Sequence, residues 1–333
     1  MDKAALILAP FSEDALALLG EHVRVFYESW LSTGELLSPD DMVQRINDGS
    51  LNILVVEADY VFEEVFANTP TLEFLGVCRA GLGHIDVDAA TAHGVMVVNT
   101  PGRNANAVAE LTLGLMLSLA RGIPTSDRYV SEGRWEDPVG PYTHMRGTEL
   151  GGKTLGLLGF GAIGRAVSKR ARSFGMKVIA YDPYLGDPGT KVGAVRLESL
   201  VTLLEVSDYL SVHTPDTPET RGLINRDNVF LLKRGVSIIN TASYWAIDEE
   251  ALVDALRSGQ VASVAMDVHR THPIPPNSPL LPMENALLTP HIGGATAETI
   301  ERQSMMMVED IRRYLRGRRP RRLVNDGLWG RVA

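Results

Sequence analysis

Short apolar runs alternate with amphipathic stretches along almost the whole chain. Runs at 5–9, 23–26, 53–56, 75–78 and 95–99 have the length and apolar character of strands buried on both faces. Helical spacing lies between them, as at 40–47 and 86–93. This alternation predicts an α/β protein built on parallel sheets. A break follows at Thr100-Pro101-Gly102. Residues 105–121 then form a long helical pattern, with Asn104 placed to cap it. That helix is apolar nearly all round (Val108, Leu111, Leu113, Leu115, Met116, Leu117, Leu119). It must bury more than one side, and contact with a second copy of the chain is one way to do so. Residues 122–150 carry no periodicity and read as irregular. A second alternating series supplies strands at 154–158, 177–181, 209–212, 237–240, 263–266 and 286–288. A last amphipathic helix, 297–315, places Ile300, Met307, Ile311 and Leu315 on one face and is expected to pack back onto the first domain.

Length and composition narrow the functional classes. At 333 residues, the chain is long enough for two domains. Hydrophobic residues make up 45% and charged residues 22%, so neither a disordered nor a fibrous protein fits. The single cysteine, Cys78, excludes an internal disulfide and a cysteine-built zinc site, and reads as a buried apolar residue. Around 111–120 the chain is most apolar, but Glu110 and Arg121 bound that run well short of a membrane span. Glu13 and Asp14 interrupt the N-terminal apolar run, which does not read as a signal peptide. The protein is expected to be cytoplasmic, without membrane or nucleic-acid partners. The net charge is -9, with only six lysines against 26 arginines. Seven of those arginines lie between 312 and 322, where cations suit a helix C-terminus.

The strongest chemical signal is Gly159-Phe160-Gly161-Ala162-Ile163-Gly164. An apolar strand precedes it and a helical pattern, 165–174, follows. Gly159 permits the tight turn, Gly161 lets a pyrophosphate approach the backbone, and Gly164 lets helix and strand pack closely. Free N–H groups at the helix start, Ala162 and Ile163 among them, face the phosphates. Asp182 ends the next strand 18 residues beyond Gly164, where a carboxylate accepts hydrogen bonds from the ribose hydroxyls and repels a 2′-phosphate. NAD is therefore the expected cofactor.

Further motifs follow in order: Arg79-Ala80-Gly81-Leu82-Gly83, Asn99-Thr100-Pro101-Gly102, Val212-His213-Thr214-Pro215, Asn240-Thr241-Ala242, Met266-Asp267-Val268 and Pro290-His291-Ile292-Gly293-Gly294. Together with the glycine turn they resemble the D-isomer-specific 2-hydroxyacid dehydrogenase family, over nearly the whole chain. The resemblance implies two doubly wound parallel-sheet domains, a Rossmann NAD-binding domain (102–296) inserted into a flavodoxin-like substrate-binding domain (1–101 with 297–333). It implies an active site in the cleft between them, and a homodimer centred on helix 105–121 and the loop after it. It places Thr214, Thr241, Ala242, Asp267, His291, Gly293 and Gly294 along the cofactor, with His213 and Pro215 at its edge. It implies hydride transfer between NAD(H) and a 2-hydroxy or 2-oxo acid, with a histidine exchanging the hydroxyl proton.

The chain departs from that pattern at two of three catalytic positions. His291 stands where the family has its acid–base histidine. The arginine that forks the substrate carboxylate is replaced by Ser243, in Ala242-Ser243-Tyr244. The glutamate that pairs with the histidine is replaced by His272, just before Pro273. A serine cannot fork a carboxylate, and a clamp of that kind is worth roughly 3 kcal/mol or more in rate. His272 brings no negative charge to its neighbour, yet it can orient the ring by a hydrogen bond. Ser243 and Tyr244 are candidates to hydrogen-bond the substrate, Trp245 to wall the pocket. Arg79 or Arg103, each close to a glycine, are candidates to hold a substrate acid, with Gly81 and Leu82 as further substrate-site candidates, and Arg270 is a weaker one. His269 and His272 lack carboxylate neighbours, so no metal site is expected. Three readings stay open: a dehydrogenase with a rearranged site, an NAD(H)-binding sensor without turnover, and a reaction with bound NAD and no net redox change.

Overall fold

The computed structural model describes residues 3–332 and divides the chain into two compact units, one running to Arg103 and resuming at Thr296, the other spanning Asn104–Ala295. In the first unit, five parallel strands are β1 (Ala4–Ile7), β2 (Arg24–Tyr27), β3 (Ile53–Val56), β4 (Phe74–Val77) and β5 (Met96–Asn99). Their order is β2-β1-β3-β4-β5. β1, β3 and β4 are buried at every position, because helices cover both faces. β2 is an edge strand and mostly exposed, and its apolar residues Phe26 and Tyr27 face solvent.

The helix Ala297–Leu315 closes one face of this sheet. Thr296 caps it through Oγ1, which accepts from the Thr299 N–H at 3.1 Å. Its Met307, Val308 and Ile311 are buried in one cluster with Ile53, Val55, Phe74 and Val98. Its inward face carries the apolar residues at the spacing that the sequence displays. Gly76 makes this packing possible, since a Cβ there would lie 2.4 Å from Met307 Sδ. Cys78 is fully buried, and burial pushes its thiol well above the usual range.

The second unit holds eight strands: β6 (Thr154–Leu158), β7 (Lys177–Tyr181), β8 (Lys191–Val192), β9 (Val195–Leu197), β10 (Tyr209–Val212), β11 (Val236–Asn240), β12 (Val261–Met266) and β13 (Ala286–Leu288). The order is β13-β12-β11-β10-β6-β7-β9-β8, parallel except for the β8–β9 hairpin. Chain order reverses between β6 and β10, and ligands of doubly wound sheets bind at such a point.

Two expectations need correction. Residues 122–150 are not irregular throughout: helices span Ile123–Ser131 and Gly140–His144. Neither buries a residue, so no core-facing period marks them in the sequence. Asn104 occupies the N-cap position of the helix Ala105–Arg121 but its side chain makes no cap hydrogen bond. The hairpin strands β8 and β9 have too few residues to show alternation and escape the sequence pattern. The helix Ala105–Arg121 is itself packed into the second unit, with Val108, Ala109, Leu113, Leu115 and Met116 buried. Among the described residues no single helix is long and apolar enough to cross a membrane; only this helix and Ile123–Ser131 taken together, bent by 63°, reach that length.

The Gly76–Met307 contact gives a thermodynamic test. Met307→Ala should cost about 2–5 kcal/mol by leaving a cavity, and Gly76→Ala about 1–3 kcal/mol by overpacking. The double variant should be more stable than the sum predicts, because the added methyl enters the vacated space. Urea denaturation of all four proteins measures this coupling.

Candidate functional site

Every site residue proposed in the second unit sits at the C-terminal end of a parallel strand, where successive loops converge on one edge. After β6 the chain turns at Gly159, whose φ is +91°. A Cβ there would lie 2.7 Å from the His213 carbonyl oxygen, so only glycine fits between the two loops. Gly161 precedes the helix Ala162–Ser173 and faces open space. At Gly164 a Cβ would meet the Gly159 carbonyl oxygen at 2.4 Å, which accounts for the third glycine by close packing. Ala162 is exposed and Ile163 half-buried at the start of this helix.

Asp182 follows β7 and braces the turn. Its Oδ2 accepts from the Phe160 N–H at 2.9 Å and its Oδ1 from the Tyr184 N–H at 3.1 Å. Thr214, after β10, has a buried Oγ1 with no hydrogen-bond partner among the described residues. Pro215 is exposed beside it. A glycine turn that excludes side chains, open helix N–H groups and an orphaned hydroxyl fit a dinucleotide pyrophosphate. His213 contributes to this loop by its backbone. Its ring is buried, which pushes its pKa down to about 3, and Nε2 lies 2.9 Å from Ser211 Oγ.

The loop after β11 is clamped by Asn240, a residue absent from the candidate set. Its amide nitrogen donates to the Ser243 carbonyl at 2.8 Å, and its Oδ1 accepts from the Ala242 N–H at 3.2 Å. Thr241 is buried, its Oγ1 3.2 Å from Thr112 Oγ1. Ser243 is only 5% exposed and Tyr244 half-buried. Burial, and then the negative charge of Glu249, push the Tyr244 hydroxyl up to about 12. That proton is therefore held on Tyr244 at neutral pH. Trp245 is 43% exposed, edge-on to Tyr244 and beneath the Arg221 guanidinium.

Asp267, after β12, organises the last loop. Oδ1 accepts from Thr289 Oγ1 at 2.6 Å and from the Ile292 N–H at 2.9 Å, and Oδ2 accepts from the Gly293 N–H at 2.8 Å. Gly293 permits this approach, since its Cβ would lie 2.9 Å from Oδ2, while Gly294 packs on Asn104. His291 is held in this loop at φ +57°, the left-handed region. Its Nδ1 lies 2.9 Å from His272 Nε2, and the ring centroids are 4.8 Å apart. His269 has its ring centroid 6.2 Å from that of His272 and its Nε2 2.9 Å from the Thr289 carbonyl oxygen. Among the described residues no three His, Cys, Asp or Glu side chains are placed to hold a metal ion.

In the first unit the corresponding strand ends carry Arg79, Gly81, Leu82 and Arg103. The structure separates the two arginines. Arg103 donates through Nη2 to Glu57 Oε1 at 2.6 Å and through Nη1 to Gln303, and both partners of the ion pair are about nine-tenths buried. Its guanidinium is thus engaged within the first unit, and freeing it would strand Glu57. Glu57 gave no signal in the sequence, since ion pairing across strands leaves no local pattern. Arg79 is exposed, with no carboxylate partner among the described residues. Gly81 is exposed, whereas Leu82 packs against the core. Nearby, burial and then the Arg79 charge push His84 below the usual histidine range.

Comparison with known proteins accords with this geometry. Residues 113–293 match the NAD-binding domain of the D-isomer-specific 2-hydroxyacid dehydrogenases. A glyoxylate reductase of Thermofilum pendens is 39% identical over 289 residues, 86% of this chain and 85% of that protein. A D-3-phosphoglycerate dehydrogenase of Methanocaldococcus jannaschii is 36% identical over 96% of this chain, which spans only 59% of that longer protein. Among solved structures, a glyoxylate reductase from Paecilomyes thermophila superposes with a TM-score of 0.81 at 28% identity, covering 98% of this chain and all of that one. By the match to that domain and by its likeness to these relatives, the chain belongs to the D-isomer-specific 2-hydroxyacid dehydrogenase family and carries that family's NAD-binding domain.

Proposed function

We propose that the protein is an NAD-dependent oxidoreductase that interconverts a 2-hydroxy acid and its 2-oxo acid, with His291 as the acid–base residue. The observation that carries this reading is the 2.9 Å contact between His291 Nδ1 and His272 Nε2. It ties the ring through one nitrogen, which in this reading leaves the other, Nε2, for the substrate proton. Bound NAD(H) supplies the hydride acceptor or donor. In reduction, His291 gives its Nε2 proton to the developing alkoxide, and in oxidation it removes that proton. In this cycle His291 keeps a proton on Nδ1 and donates it to His272 Nε2, so that loss of the Nε2 proton leaves a neutral imidazole and His272 orients the ring as acceptor. Glutamate would do this electrostatically; His272 does it by hydrogen bonding alone.

The substrate acid needs a cation, and Ser243 supplies none. Arg79 is the reading's candidate, since Arg103 is committed to Glu57. Ser243 and Tyr244 then line the remainder of the site, and Arg270 adds positive charge near Tyr244. Asp182, Thr214, Thr241, Ala242, Gly293 and Gly294 would line the cofactor. Glyoxylate and hydroxypyruvate are the first substrates to try. A cytoplasmic location is part of the same proposal.

The protein is further proposed to be a homodimer. Ile123, Val130, Trp135, Val139 and Tyr142 are each more than half exposed, on the segment that follows the helix Ala105–Arg121. Large apolar side chains grouped on one segment favour burial against a second copy.

NADH oxidation by the purified protein against 2-oxo acids tests the activity. His291→Ala should lower kcat by about 10²–10⁴-fold with NADH binding retained. His272→Ala should lower it less, and His272→Glu should extend activity to higher pH by stabilising the charged ring. NADH binding with no turnover of any 2-oxo acid would leave a sensor. Sedimentation should give a dimer, and Trp135→Glu should shift it toward monomer.

A further inference from the structure

Of the seven arginines between 312 and 322, three are neutralised locally. Arg319 pairs with Asp326 at 2.7 Å. Arg321 and Arg322 each reach Glu309 at 2.9 Å, and Arg322 also reaches Asp310 at 2.6 Å. The other four, Arg312, Arg313, Arg316 and Arg318, have no carboxylate at ion-pair distance among the described residues. These same four line one groove, over Leu18, Met305 and Val308, with a cavity volume of about 280 Å³. Glu309 is the one acid in its lining, and both of its oxygens are already engaged by Arg321 and Arg322.

Backbone geometry brings the four together. Gly317 adopts φ +64°. Its N–H donates to the Tyr314 carbonyl at 2.9 Å, and the Arg318 N–H to the Arg313 carbonyl at 2.8 Å. This reversal ends the helix and carries Arg318 back over the last turn, beside Arg312, Arg313 and Arg316. A helix C-terminus attracts cations, but it offers only about half an elementary charge. It does not balance four guanidinium groups. Arg312 Nε is in addition buried without a hydrogen-bond partner among the described residues. A desolvated donor on a charged group calls for an acceptor.

We propose that this groove is a binding site for a small polyanion carrying two or more phosphoryl groups, separate from the dinucleotide turn. Arginine forks match phosphoryl oxygens in pairs, and the apolar floor strengthens those bonds by excluding water. The volume suits a di- or triphosphate moiety.

The test is calorimetric titration of sodium tripolyphosphate into the full chain saturated with NADH, so that the dinucleotide turn does not contribute. One site per chain is expected, weakening as salt rises. Affinity should fall about tenfold or more in Arg312→Gln/Arg316→Gln, and in Arg318→Gln should the double variant fail to fold. It should be unchanged in Lys169→Gln/Arg172→Gln, on the exposed basic face of the helix Ala162–Ser173. Absence of binding, or equal affinity in wild type and the groove variants, overturns the proposal. So does binding of only RNA oligonucleotides or phosphatidylserine vesicles that depends on the groove arginines, since it would assign the groove to a macromolecular surface.

Discussion

The carboxylate of Asp267 is the constraint on which the reactive loop depends. It is 1% exposed and accepts three hydrogen bonds from the segment after β13. Those bonds outweigh the cost of a left-handed histidine at 291, which is of order 1–3 kcal/mol for strained backbone of this kind. They also require glycine at 293, because the carboxylate approaches too closely for a Cβ. With this loop in place, His291 meets His272, a residue on the other loop that Asp267 begins. One buried acid thereby sets the geometry of two histidines without touching either ring.

The same economy governs charge in the first unit. Two arginines near its strand ends look equivalent in sequence. One is locked to Glu57 and Gln303, and the other faces solvent. Removing water from an ion pair is tolerated only when both partners are present and hydrogen-bonded. Arg103 is therefore part of the frame, whereas the Arg79 side chain is exposed. In the second unit the loop after β11 carries Ser243, which is buried and uncharged. Asn240 holds that loop with two hydrogen bonds of its own.

Much of this was readable in the chain. The buried strands declare themselves because helices cover both faces, so each is an unbroken apolar run. The three glycines of the cofactor turn declare themselves because no other residue meets the contacts at Gly159 and Gly164. The exposed helices Ile123–Ser131 and Gly140–His144 do not, because a helix without a buried face has no period to read. Asn240 lay within a motif, but its clamp on Ser243 depends on a turn that spacing does not disclose.

Sequence by itself determined the α/β architecture and the dinucleotide turn. These follow from local periodicity and from glycines and acids at set distances along one chain. Tertiary structure alone decided which groups meet. His272 lies 19 residues from His291, Glu57 lies 46 from Arg103, and Asp267 lies 26 from Gly293. Such partners are brought together by neighbouring strands and their loops, and hydrogen bonding and charge pairing across them leave no period in the sequence.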